Sequence, residues 1–169
     1  MRKKKIYLDS CIFIKVFLKE SGYKKVLVFL NDPDIEFVTS DWTWTEIVKV
    51  LIKTKKISER KVSNYIQYLI RKKRIGDICF KIIPVSLKED YTFEEFFYEV
   101  QQTLLKYKGS LGDVIHSVIM KNNKIDTILT TDSEFEGMKG TCIMNPLEFN
   151  LDFPVRKLQL PKANPSSIQ

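Results

Sequence analysis

Four acidic residues of this chain stand where an apolar strand would end and a helix begin. Asp9 closes KKKIYLD, Glu46 lies in SDWTWTEIVKVLI, Asp113 opens DVIHSVIM, and Asp132 follows TILTT. In an α/β fold that edge of the sheet leaves a crevice lined by helix N-termini, where ligand sites form. Carboxylates converging there are costly, since two of them about 4 Å apart repel by roughly 4 kcal/mol at an effective dielectric of about 20. Gathering four of them calls for a cation. Oxygen donors select Mg²⁺ or Mn²⁺ over zinc, which prefers His or Cys.

Each acid taken alone also has a structural explanation. Asp9 suits the N-cap of a helix beginning at Cys11. Glu46 lies three residues after Thr43, and T-x-x-E is the spacing of a capping box. Asp113 follows Ser110 by the same interval, and Asp132 could cap a short helix through residues 133–135. Convergence separates ligand from cap, not any single residue. His116, the single histidine, lies one turn after Asp113; it reads as a packed or supporting side chain before a general acid or base.

Strand and helix patterns alternate along the chain. IYL (6–8), IEFVTS (35–40), CFKIIPV (79–85), DTILTT and GTCIM read as five strands. CIFIKVFL and YKKVLVFLN read as helices, as do 43–55, ERKVSNYIQYLIRKK, the run from Phe93 to Leu104, and the segment holding Val114, Ile115, Val118 and Ile119. This alternation predicts a parallel sheet covered on both faces. At 169 residues the chain suits one domain, expected over 1–150. The proline- and serine-containing stretch 151–169 is expected to be an extended or disordered tail.

Charge narrows the partners. The net charge is +7, and a basic chain favours phosphate-rich partners because neutralised phosphates release counterions. Lys53, Lys55, Lys56, Arg60 and Lys61, then Arg71, Lys72, Lys73 and Arg74, form two basic clusters. They read either as solvated helix faces or, together, as an RNA-binding surface. Cys11, Cys79 and Cys142 lack zinc spacing and read as reduced thiols. Charges interrupt every apolar stretch before the roughly 20 residues a membrane helix needs, so no membrane contact and a cytoplasmic location are expected. Trp42, Trp44, Phe93, Phe96 and Phe97 suit either an interface or the core, and for most of them the core.

The stretches IYLDSCIFI, WTWTEI, LGDVIHSVI and TILTTDSEF, in this order, resemble the PIN-domain proteins, above all the VapC-type toxin ribonucleases of toxin–antitoxin pairs. The likeness spans about residues 5–150. It implies a three-layer α/β/α fold with a central, mostly parallel sheet of about five strands. It implies that Asp9, Glu46, Asp113 and Asp132 are the catalytic, metal-binding acids, with Ser10 and Thr130 in support. The activity implied is Mg²⁺- or Mn²⁺-dependent hydrolysis of RNA phosphodiester bonds, with a small antitoxin protein and a homodimer as partners. Where the family carries Asn two residues after the first Asp, this chain has Cys11. Within the family the alternatives are a non-catalytic RNA-binding or scaffold protein and a housekeeping RNA-processing nuclease. A Mg²⁺-dependent phosphatase or a response-regulator receiver also sets acids at strand ends, but the expected second Asp beside Asp9 is absent.

Overall fold

The apolar run after the basic N-terminal residues forms a central strand, β1 (Lys4–Leu8), with Ile6, Tyr7 and Leu8 buried. Burial of consecutive residues marks a parallel strand covered on both faces. The computed structural model describes residues 4–72, 74–75, 78–85, 91–107, 109–136, 138 and 140–148. Lys73, the side chains of Lys72 and Arg74, and the expected tail at 151–169 lie outside the described residues.

After β1 come α1 (Ser10–Leu18), α2 (Tyr23–Phe29), β2 (Ile35–Ser40), α3 (Asp41–Lys49) and α4 (Glu59–Lys72). They are followed by β3 (Arg74–Ile75), β4 (Ile78–Ile83), α5 (Phe93–Leu104), α6 (Leu111–Asn122), β5 (Thr127–Leu129) and β6 (Cys142–Met144). The sheet runs β3-β4-β2-β1-β5-β6. Its five strands from β4 to β6 are mutually parallel, and β3 adds an antiparallel edge to β4. All five expected strands are present. The two-residue β3 carries no periodicity to read, which is why the sequence pattern did not reveal it.

Alternation along β1 divides the core. Ile6 and Leu8 pack with Ile12, Phe13, Leu27, Trp44, Val62 and Phe80, beneath α1 to α4. Tyr7 points to the other layer, with Phe96, Val100, Val114, Val118 and Phe135, where α5 and α6 lie. Helices on both faces of the sheet give the expected α/β/α layering. Trp44 and Phe96 belong to the core, whereas Phe93 and Phe97 are exposed on α5.

The segment read as one helix over 43–55 begins earlier and changes pitch. After Lys49 the chain continues as a π-helical turn, Val50–Thr54, closed by the Lys55 N–H donating to the Val50 carbonyl at 2.9 Å. Such wide turns recur at functional sites. Among the described residues, no helix is long and apolar enough to cross a membrane.

The strand order positions the site. From β1 the chain steps outward through β2 to β4, then returns to β5 on the other flank of β1. Neighbouring loops at the C-terminal ends of β1 and β5 therefore leave in opposite directions, and a crevice opens between them.

Candidate active site

All four expected acids line one cleft of about 320 Å³, together with Ser10, Cys11, Ser110 and Thr131. Two of them are N-caps, one closes a capping box, and one does neither. Asp9 follows β1 directly and N-caps α1, accepting from the Ser10 N–H at 2.5 Å and the Ser10 hydroxyl at 3.3 Å. Its other oxygen accepts from the Thr130 hydroxyl at 2.7 Å. Thr130, fully buried just past β5, also accepts from the Asp132 N–H at 2.9 Å. One hydroxyl thus joins the first acid to the last. Asp132 caps the short 3₁₀ turn Ser133–Phe135 through the Glu134 N–H.

Asp113 sits in the first turn of α6 and closes a complete capping box. Its N–H donates to Ser110 Oγ at 3.2 Å, while its carboxylate accepts from the Ser110 hydroxyl at 2.6 Å and the Ser110 N–H at 3.0 Å. Glu46 follows another rule. The N-cap of α3 is Ser40, not Thr43; Thr43 is buried and accepts from the Thr39 hydroxyl at 2.8 Å. The T-x-x-E capping box is therefore not formed, and the Glu46 side chain is free to reach into the cleft, where its Oε2 lies 2.6 Å from His116 Nε2.

His116 is buried at 1% exposure, with Nε2 3.9 Å from Asp9 and Nδ1 2.8 Å from the Tyr7 hydroxyl. Burial alone would lower its pKa, but the bond and charge of Glu46, with the charges of Asp9 and Asp113, raise it. Partial burial would raise the pKa of Glu46, yet the bond and charge of the same imidazole, with hydrogen bonding from Ser10 and Trp42, lower it overall. Burial, reinforced by Asp9, pushes the Cys11 thiol well above its ordinary range. Cys11 instead packs as a weak polar partner, 3.3 Å from the Thr130 hydroxyl and the Thr131 N–H.

The sequence model of the PIN domain family matches residues 6–140. This chain belongs to the PIN domain family. Comparison with curated protein sequences gives no match. Among solved structures it is similar to a toxin–antitoxin complex from Klebsiella pneumoniae, with 20% identity over 85% of this chain and 99% of that one, TM-score 0.53. It is also similar to VapC20 of Mycobacterium tuberculosis, a sarcin–ricin-loop-cleaving toxin, with 14% identity over 77% of this chain and 92% of that one, TM-score 0.54. VapBC2 from Rickettsia felis, bound to a DNA fragment from its promoter, shares 15% identity over 83% and 98%, TM-score 0.56. At these identities the likeness is one of fold.

The PIN-domain cleft suits a hard divalent cation by its donor chemistry. Asp9 and Asp113 are 4% and 8% exposed, and buried carboxylates need compensation. Among the described residues no Lys or Arg pairs with any of the four acids. The cleft lysine, Lys55, binds Glu20 at 3.0 Å instead. One ligand atom each from Asp9, Glu46 and His116 lies within 4.8 Å of the other two.

Sequence reasoning missed two further cleft acids, Glu20, which pairs with Lys55, and Glu134. Glu134 lines the opening, and its pKa is raised by a hydrogen bond and charge from Asp113, then by the charge of Asp132. Its place in TTDSEF, two residues past Asp132, was the available signal. Of the basic residues, Lys55 reaches the cleft, while Lys53, Lys56, Arg60, Lys61 and Arg71 are exposed.

Proposed function

We propose that this PIN-domain protein is a metal-dependent endoribonuclease, the toxin of a toxin–antitoxin pair. The observation that carries the reading is the convergence of Asp9, Glu46, Asp113 and Asp132 on one cleft, with no Lys or Arg partner among the described residues, in a chain of net charge +7. A protein that only bound RNA would gain nothing from carboxylates that repel phosphate.

In this reading the four acids hold Mg²⁺ or Mn²⁺. When bound, such an ion polarises a phosphoryl oxygen and strengthens water as a nucleophile. The residues of the chain supply the rest. Asp9 is locked by the Ser10 N–H and the Thr130 hydroxyl, so the site costs little reorganisation when substrate arrives. Asp113 is locked by Ser110, and Glu46 orients the attacking water or binds through it. Lys53, Lys55, Lys56, Arg60, Lys61 and Arg71 hold flanking phosphates, offsetting the repulsion RNA meets at the acids.

The antitoxin would be a small protein that blocks the cleft with a basic side chain. The exposed rings of Phe93 and Phe97 on α5 suit a homodimer contact, and the setting is the cytoplasm. The test is incubation of total cellular RNA with the purified protein in Mg²⁺, Mn²⁺ or EDTA, beside Asp9→Asn. Discrete products that require metal and vanish in the variant are expected. Intact RNA in the presence of folded, metal-supplied protein would favour a non-catalytic RNA-binding domain.

A further inference from the structure

Among the described residues, Glu46 differs from the other three acids in having no capping role and no backbone hydrogen-bond partner at the cleft. Its carboxylate is instead gripped by α6. One oxygen, Oε2, meets His116 Nε2 at 2.6 Å. The other, Oε1, lies where the next residue of α6 that matters would carry a side chain: a Cβ built on Gly112 would fall 2.3 Å from it. Gly112 does not have a positive φ, so what glycine supplies there is space for the Glu46 carboxylate, not backbone freedom. Any larger residue would push the carboxylate off α6.

The imidazole is itself held from behind. His116 Nδ1 faces the Tyr7 hydroxyl at 2.8 Å, and that hydroxyl meets Ser40 Oγ and, at 3.3 Å, Thr43 Oγ1. Thr39 continues the chain, its one hydroxyl hydrogen facing both Thr43 Oγ1 at 2.8 Å and the Leu8 carbonyl at 3.0 Å. Tyr7, Thr39, Ser40, Thr43 and His116 are all buried. Hydrogens can be assigned along this chain. A carboxylate oxygen 2.6 Å from Nε2 only accepts, so the hydrogen of a neutral imidazole stands on Nε2, and the arrangement that matches has Tyr7 donating to Nδ1 and Ser40 donating to the Tyr7 oxygen. A doubly protonated ring carries a hydrogen on Nε2 too. In either form the Nε2 lone pair is unavailable to a metal.

We propose that His116 is a positioning residue: with Gly112 it clamps Glu46 into the cleft, and it is not itself a ligand despite lying among the donors. The proposal rests on the metal-dependent reading given above, and it assigns α6 two tasks, carrying Asp113 and aiming Glu46. Outer partners of this kind typically set metal affinity by about 10–100-fold.

His116 is the single histidine, so its ring nitrogens give an unambiguous NMR signature in the whole protein. In metal-free protein we expect an exchange-protected Nε2–H resonance that moves in Glu46→Gln and in Tyr7→Phe, and that persists when Mg²⁺ is added. Loss of that hydrogen on adding Mg²⁺ would make the ring a ligand, and indifference to Glu46→Gln would remove the clamp; either overturns the proposal. Calorimetric Mn²⁺ titration gives the functional arm. His116→Leu and Gly112→Ala should bind Mn²⁺ about 10–100-fold more weakly than wild type, and His116→Gln, whose amide N–H can reach the same place, should recover most of the loss. Unchanged affinity in folded Gly112→Ala and His116→Leu overturns the proposal. Failure of the wild type to take up Mn²⁺ contradicts the nuclease reading instead, and the imidazole resonances still decide whether the clamp exists.

Discussion

The two sides of the cleft are built on different principles. On the strand side, Asp9 and Asp132 hang from the ends of β1 and β5 and share one buried hydroxyl, Thr130, at 2.7 Å and, through the Asp132 N–H, 2.9 Å. Every hydrogen-bond partner there, among the described residues, is backbone or a short side chain within a few residues of a strand end. On the helix side, Glu46 lies in the second turn of α3 and depends on His116, 70 positions away in the chain. The strand side is rigid because the sheet is rigid. The helix side is rigid only while α3 and α6 stay in register.

This contrast can be broken from either side. Asp9→Asn should have the largest effect on activity, reducing RNA cleavage to background while the thermal unfolding transition stays close to wild type; full activity in a folded variant would remove the strand side from the chemistry. Thr130→Val comes next. It keeps the shape but strips a partner from a buried carboxylate oxygen and from a backbone N–H, so about 1–3 kcal/mol of stability should be lost, measured by urea unfolding, with weaker Mn²⁺ binding alongside. Ser110→Ala removes the capping partner of Asp113 and should cost about 1 kcal/mol, with cleavage reduced less than in Thr130→Val.

The smallest effect should fall outside both sides. Lys55 and Glu20 have side chains 42% and 32% exposed, and exposed ion pairs contribute at most about 1 kcal/mol. Lys55→Ala should therefore leave stability nearly unchanged. Its signature should be in RNA binding, where losing one phosphate contact lowers the log–log salt slope by about 1. A normal slope with weakened cleavage would place Lys55 in the reaction itself.

The same contrast explains what could be read from the sequence. The strand side was legible because its signals are local. The strand IEFVTS matches Ile35–Ser40 and Asp9 caps the helix after β1; on the helix side the equally local Ser110–Asp113 spacing gives the capping box it suggests. For Glu46 it is the structural alternative that fails: its T-x-x-E spacing forms no cap, and the side chain lines the cleft. Its partner in space comes from α6, backed by side chains of β1 and β2, and no spacing within a single segment encodes them. Tyr7 illustrates the limit: in IYL it reads as one more buried apolar residue, yet its hydroxyl meets His116, 109 positions away. Gly112 looks like a neutral residue near a helix start until Glu46 is placed against it. The π-helical turn after Lys49 was hidden because its apolar residues fit an α-helical pattern equally well.

Calorimetric titration of Mn²⁺ into EDTA-stripped, dialysed wild-type protein, beside Asp9→Asn, addresses the central claim most directly. If the acids of the cleft hold a divalent ion, the wild type should bind Mn²⁺ saturably and the variant should bind at least about tenfold more weakly. Equal binding by the two proteins, or none by the wild type while RNA is still cleaved in EDTA, would contradict it.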